Sequence, residues 1–443
     1  MRLMGRNEDR QDHVDALFRQ SFDESGARVR AMLSTCIDRG GTPYVWVDPA
    51  LLHARERAFL TSCQCDGFSP RLLWISDGKL VTSDRPGSEV LPCTPRGADC
   101  VFVLGCFDTE YYVRCCLYEV DSEAMVCSVD DMMFGPVARQ EPCDAIVEGS
   151  GRFATDSVCA LVILHHPDED VVDHVMSYAR SVRTVYVYDN SPACDLALRR
   201  RLEDLGCVEY RFGGGANHGI CEPVNAIAAE ARRDGFVWMI TFDQDSVAAP
   251  HMVERMLAAA EGICTNDVRL LAPMIRFSSD PLDPHVRMPA VSGLSFTIQS
   301  GLMHRLDLFE EGIVYDERLF IDEVDNEYCV RVRAAGYSIA QVNDAILWHQ
   351  VSDGRSLRDK YSALRYYYRY RNLLYAAERY EAVDPLYSGH CLNTLGDIEA
   401  FLESDVVEVG AKGTAMLLAL YHRMQGRWPT YDVAVRELDQ MLA

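Results

Sequence analysis

Two aspartates one residue apart, Asp243 and Asp245 in MITFDQDS, are the most chemically suggestive pair in this chain. Carboxylates so spaced at the end of an apolar run can share a hard divalent cation, which takes oxygen ligands and keeps positions for water and phosphate. A departing diphosphate suits such a cation, acting as Lewis acid and template. A second constellation is GIVYDERLFIDEVDNEYCVRVRAAGY, where an acidic cluster leads into a helical pattern ending at Gly336. Asp325 falls in the first turn, where the helix dipole favours a carboxylate, and a carboxylate fixed there can serve as general base. Glu327 and Arg331 form an i,i+4 pair. His349, in AILWHQ, offers a nitrogen that would complete a metal set opposite the acidic pair. Each feature also has a plain reading: a solvated turn, ordinary helix capping with charge balance, and a structural histidine.

Such residues act together only if the fold delivers them to one place. From about 157 short apolar runs alternate with helical stretches: CALVIL (159–164) before a helix near 168–181, and TVYVYD (184–189) before one near 194–205. CVEYR (207–211) then precedes a Gly-rich turn and a helix near 220–234, and FVWMITF (236–242) runs into DQDS. This alternation predicts an α/β fold with a mainly parallel sheet and helices on both faces. Ligands bind such sheets beyond the carboxyl ends of the strands. The residues to inspect are therefore His165 and His166, Asp189-Asn190-Ser191, Asn217, and Asp243-Gln244-Asp245-Ser246. The segment RFGGGANHGI fits neither the dinucleotide fingerprint nor a P-loop.

Three regions are expected: an accessory domain at 1–150, a catalytic α/β domain at 151–353 and a helical region at 354–443. The first has a polar start compatible with helix. Runs such as YVWV, RLLWI, CVFVLGCF and YYVRCCLYEV follow, separated by turn-forming clusters, and predict a strand-rich domain. The 443 residues carry a formal charge of −24, which argues against nucleic acid as a partner. No long apolar run and no secretory h-region appear, so a cytoplasmic protein is expected. The 17 cysteines, scattered through apolar stretches, read as packing residues. The basic, tyrosine-rich stretch from Arg355 to Tyr375 admits two readings: peripheral contact with the inner membrane face near a lipid-linked acceptor, or a helix packed on the catalytic domain.

In this order the motifs resemble the inverting glycosyltransferases of family two, which have the GT-A fold, and more narrowly bacterial rhamnosyltransferases. The resemblance spans roughly 157–375. VILHHP matches the opening segment, with His166 where the family commonly has Asn, and YVYDNSPA implies that Asp189 contacts the nucleotide base. NHGICEPVNAIAAEA implies that Asn217 and Asn225 lie near the donor. ITFDQDS implies Asp243 and Gln244 on the donor side and Asp243 with Asp245 on the metal. AVSGLSF implies Ser292 and Gly293 near the acceptor. LFIDEVDNEYCVRVRAAGY implies Asp325 as base with Glu327 in support, AILWHQ implies His349 as metal ligand, and YYYRYRNLLY resembles an Arg-Asn element at Arg371 and Asn372. The implied reaction is a single in-line displacement with Mn²⁺ or Mg²⁺, from a nucleotide-sugar (dTDP-rhamnose above others) to a glycan or lipid-linked glycan. Three alternatives stand beside it: a galactofuranosyltransferase using UDP-galactofuranose, a non-catalytic glycan-binding protein, and a nucleotidyltransferase, although the Gly-rich opening strand-loop of the last is missing.

Overall fold

The computed structural model describes residues 7–47, 54–76, 79–85, 88–104, 113, 117, 122, 124–128, 155–263, 267–277, 290–349, 361–400 and 409–442. The chain divides into two compact units, one of 1–136, 281–288 and 376–396, the other of 137–280, 289–375 and 397–443.

The first unit holds α1 (Asn7–Glu24), α2 (Gly26–Asp38), β1 (Pro43–Trp46), α3 (Ala54–Cys65), β2 (Arg71–Ser76), β3 (Lys79–Ser83), β4 (Leu91–Pro92), β5 (Cys100–Val103) and β6 (Met125–Ser128). Its sheet runs β4-β3-β2-β1-β5-β6, parallel from β2 to β6 and antiparallel at β3 and β4. The runs YVWV, RLLWI and CVFV supply strands as expected, but the unit also carries helices and is α/β, not merely strand-rich. Val14, Leu17, Phe18 and Phe22 on α1 and Val29, Leu33 and Cys36 on α2 are buried at helical spacing. Charged residues between them mask that spacing in the sequence. YYVRCCLYEV lies largely outside the described residues.

The second unit begins with the predicted alternation: β7 (Val158–Leu164), α4 (Val171–Ala179), β8 (Thr184–Asp189), α5 (Leu196–Glu203), β9 (Val208–Phe212), α6 (Cys221–Arg233), β10 (Trp238–Asp243). It continues with β11 (Ser246–Ala248), α7 (Met252–Gly262), β12 (Val268–Phe277), β13 (Val291–Leu294), β14 (Met303–Arg305), α8 (Asp307–Glu310), α9 (Val324–Ala334) and β15 (Ser338–His349). The sheet order is β11-β15-β12-β14-β10-β7-β8-β9, with β13 on β15. The run β10-β7-β8-β9 is parallel, as is β12 with β15, and antiparallel β14 joins the two groups.

Both faces of the parallel strands are apolar. On β7, Val158, Ala160, Val162 and Leu164 pack in the core that contains α4 and α7, while Cys159 and Leu161 face the core of α6 and α9. Strands buried on both sides lose the polar alternation of a surface strand, which is why they appear as continuous apolar runs. Each such Val or Leu contributes about 1.5–3 kcal/mol on burial.

The helices expected after 354 are α10 (Ala363–Tyr380), α11 (Pro385–Ala400), α12 (Val409–Met424) and α13 (Tyr431–Leu442). They are shared between the two units and do not form a third. In the described part of the Arg355–Tyr375 stretch, Tyr366, Tyr367, Tyr368, Tyr370, Arg371 and Tyr375 are buried. Arg365 is paired with Asp322. The packing reading of this helix therefore holds over the membrane reading for 361–375, and Arg355, Arg358 and Lys360 lie outside the described residues. Among the described residues no helix is long and apolar enough to cross a membrane.

Candidate functional site

Strand direction gathers the site. Parallel strands β7, β8, β10 and β15 finish at one edge of the sheet, delivering Asp189, Asp243 and His349 as terminal residues. Antiparallel β14 starts at that same edge, so the residues just before it, Ser300 and Gly301, arrive there too. Helix α9 leads into β15 after three residues and so runs back along it toward this edge, and Asp325 in its first turn lies close enough to Asp243 to raise the pKa of that carboxyl.

The pairing of β11 with β15 sets Ser246 opposite His349. Ligand atoms of Asp243, Asp245 and His349 consequently lie within 4.8 Å of one another. His349 Nδ1 is 3.5 Å from Asp245 Oδ1 and 3.0 Å from Ser246 Oγ. Ser246 Oγ is 2.8 Å from Ser300 Oγ, which accepts the Asp243 N–H at 3.0 Å. Burial pushes Asp243 up to about 6, Asp245 and Asp325 add to the rise, and His349 and Arg365 oppose it. Two carboxylates and an imidazole, with excess negative charge on a buried oxygen, form a donor set that fits a divalent cation.

Asp325 is half-buried, and its Oδ1 accepts the Asn326 N–H at 2.9 Å. Burial, followed by Glu323 and Asp322, raises its pKa to about 6. The approach to α9 is strained: Phe320, Asp322 and Glu323 have φ of 66°, 62° and 61°. For residues other than glycine such a conformation costs about 1–3 kcal/mol each and persists only where the surroundings enforce it. Arg365 grips the Asp322 carboxylate with Nε at 3.0 and 3.2 Å and Nη2 at 3.0 Å.

At the end of β8, Asp189 is 1% exposed. Its carboxylate accepts the Ser191 N–H at 2.9 Å and the Tyr210 hydroxyl at 2.6 Å. Asn190 holds the Gly-rich loop, donating to Gly219 O at 2.8 Å and accepting from His218 N at 3.0 Å. Asn217 turns that loop through Gly219 N at 2.9 Å. His166 is exposed in a left-handed conformation, φ 49°, with its N–H on Ser191 Oγ at 3.0 Å.

Several expected residues have other engagements. Gln244 accepts the His165 N–H through its side chain, and its carbonyl accepts His174 Nδ1–H, both at 2.8 Å, so it braces the aspartate turn against β7 and α4. Asn225 binds both the N–H and the carbonyl of Tyr315 at 3.0 Å, fastening α6 to that loop. Glu327 is fully buried, and Arg331 Nε donates to both its oxygens at 2.9 Å. Ser292 accepts from Asn343 Nδ2 at 2.8 Å. Ser292 and Gly293 pair with Gln341 and Ala340, near the start of β15. Gln341 precedes His349 by up to about 26 Å of strand at ~3.3 Å per residue. Ser300 is the serine bonded to the aspartate turn, while Ser292 and Gly293, expected near the acceptor, lie on β13 beside β15 short of His349. The string SGL occurs twice, at 292 and at 300, and only the second is followed by an antiparallel strand entering from the site edge. Ser246, one of the residues at the strand end that the sequence marks for inspection, bonds His349 and Ser300. Sequence reasoning passed over His174, Tyr210 and the Arg365–Asp322 pair, because each acts through a partner distant in sequence.

No family model matches the chain. A curated dTDP-rhamnosyl transferase, RfbF of Shigella flexneri, is 25% identical over 237 residues, covering 49% of this chain and 78% of the relative. Among solved structures, S. aureus TarS 1–349 in complex with UDP-GlcNAc aligns at 13% identity and TM-score 0.44, over 64% of this chain and 83% of that one. A longer S. aureus TarS chain aligns at 14% identity and TM-score 0.42 over 58% of this chain, which spans 47% of the TarS length. GalNAc-T7 with UDP, GalNAc and Mn²⁺ aligns at 13% identity and TM-score 0.38, over 58% of each chain. Structural likeness at that level says nothing of donor, metal or acceptor. The curated relative bears out the enzyme class that the motifs imply, and the chain is a glycosyltransferase.

Proposed function

We propose that this chain has the GT-A architecture and transfers a sugar, with inversion, from a nucleotide-sugar to a hydroxyl of a cell-surface or cell-wall glycan. The observation that carries the proposal is the convergence of Asp243, Asp245 and His349 at the sheet edge where Asp325 also arrives. Those three residues would hold Mn²⁺ or Mg²⁺, which supplies Lewis-acid stabilisation to a leaving diphosphate. Asp325 accepts the proton of the acceptor hydroxyl as its oxygen bonds to the anomeric carbon. The bond to the diphosphate oxygen breaks, and the nucleoside diphosphate departs with the electron pair. With its pKa near 6, Asp325 is ionised at neutral pH yet basic enough to take that proton. The Gly-rich loop, Asp189 and His166 form the donor side, and dTDP-rhamnose is the donor favoured by similarity to the Shigella enzyme.

A panel of nucleotide-sugars, offered with Mn²⁺ and scored by product, tests this reading. Release of nucleoside diphosphate from dTDP-rhamnose is expected. Release from UDP-galactofuranose alone would replace the donor. Pyrophosphate as product would make the chain a nucleotidyltransferase, and binding without turnover would make it a glycan- or nucleotide-binding protein.

A further inference from the structure

We propose that Asn372 and Arg371 of α10 are positioning residues for the base, holding the strained loop 318–322 in the path that delivers Asp325. This rests on reading Asp325 as the base. Every carbonyl of five consecutive loop residues is held by a donor from outside the loop. Arg371 Nη2 donates to Arg318 O at 2.8 Å and Leu319 O at 3.0 Å. Asn372 Nδ2 donates to Leu319 O at 2.9 Å and to Ile321 O and Asp322 O at 2.8 Å each. The remaining carbonyl, Phe320 O, accepts the Ile220 N–H at 2.9 Å.

The orientation of the Asn372 amide is itself fixed. Arg371 Nε and Nη2 donate to its Oδ1 at 3.0 and 2.9 Å, so only the Nδ2 end can face the loop. The guanidinium lies against the Tyr368 and Trp428 rings, 4.8 and 4.9 Å from their centroids. Both residues are fully buried and neither faces the sheet edge as a free group. A residue that only secures a helix has no need to collect carbonyls from a segment with left-handed φ at Phe320 and Asp322. Without those donors the loop can relax to ordinary dihedrals, which rotates the entry to α9 and shifts Asp325, three residues beyond Asp322. Gly219 shares the device: a Cβ there would sit 2.4 Å from Phe320 O, so the Ile220 bond needs glycine before it.

A double-mutant cycle between Asn372→Ala and Asp325→Asn tests the inference, read as kcat together with donor affinity by calorimetry. Asn372→Ala should lower kcat about 100-fold, as an ångström-scale displacement of a catalytic group does. Donor affinity should change less than about threefold, because the loss falls on the reacting step. In the Asp325→Asn background the same substitution should change the residual rate by less than about twofold, since the group it positions is already gone. Arg371→Lys, which keeps the charge but loses the fork, should show a smaller loss with the same non-additivity. Equal loss in both backgrounds, or normal kcat in well-folded Asn372→Ala protein, overturns the positioning role. Should Asn372→Ala fail to fold, the Arg371→Lys arm decides alone. If Asp325→Asn by itself keeps near-normal kcat, the base assignment fails and this inference falls with it.

Discussion

Asp325 sits where its chemistry is useful and its stability contribution is unfavourable. Its pKa is raised from 3.8 to about 6, chiefly by burial, so the folded chain binds its proton more tightly than the unfolded chain does. Between those two values the native state holds more protons, and stability falls as pH rises through the window. Above about 6 the full cost is present, on the order of 2–3 kcal/mol from the shift. Asp325→Asn should therefore lose catalysis by roughly 100-fold or more while unfolding at a higher temperature at pH 7. Calorimetric scans of both proteins at pH 4 and pH 7 check the stability half, with a difference expected at pH 7 and little at pH 4. The same protonation should give kcat/KM an acidic limb near pH 6 that is absent from the residual activity of Asp325→Asn. Ser300 supports a second prediction at this scale. Its hydroxyl joins the Asp243 N–H to Ser246 and thence to His349. Ser300→Ala should weaken Mn²⁺ binding about 10–100-fold, measured by titration of the metal in the absence of donor.

At the scale of elements, what was legible follows local pattern and what was not depends on partners. The β7 to β10 alternation was readable because parallel strands buried on both faces are continuous apolar runs, and the helices between them carry amphipathic spacing. Asp243, Asp245, Asp325 and His349 were readable because each stands at the end or beginning of such an element. Ser300 was not, since its role depends on β14 running antiparallel between two parallel groups, a pairing that no local pattern encodes. The Glu327–Arg331 pair was readable from its i,i+4 spacing, but the full burial of Glu327 was not, since it depends on what packs over that face of α9. The tyrosines of α10 were ambiguous for the same reason, because an amphipathic helix does not announce whether protein or lipid covers its apolar face. Buried Tyr366 to Tyr375 now predict that this segment does not bring the protein onto membranes. Co-sedimentation with anionic vesicles should stay at background and should not change in Arg365→Gln or Arg369→Gln.

For the molecule as a whole, Asp243, Asp245, Asp325 and His349 all belong to the second unit, and the unit built on α1 to β6 contributes none of them. Its mixed sheet with helices was only partly visible, since short strands between turn clusters dominate its sequence. The −24 formal charge bears on partners at this scale: it adds to the local repulsion that the paired carboxylates at the sheet edge offer a nucleoside diphosphate, which a cation between them would offset. The most direct measurement is therefore product formation from dTDP-rhamnose with and without metal. The account predicts release of nucleoside diphosphate with Mn²⁺ or Mg²⁺, abolished by excess chelator, restored by added metal, and lost in Asp245→Asn and His349→Ala. Undiminished release in excess chelator would contradict it.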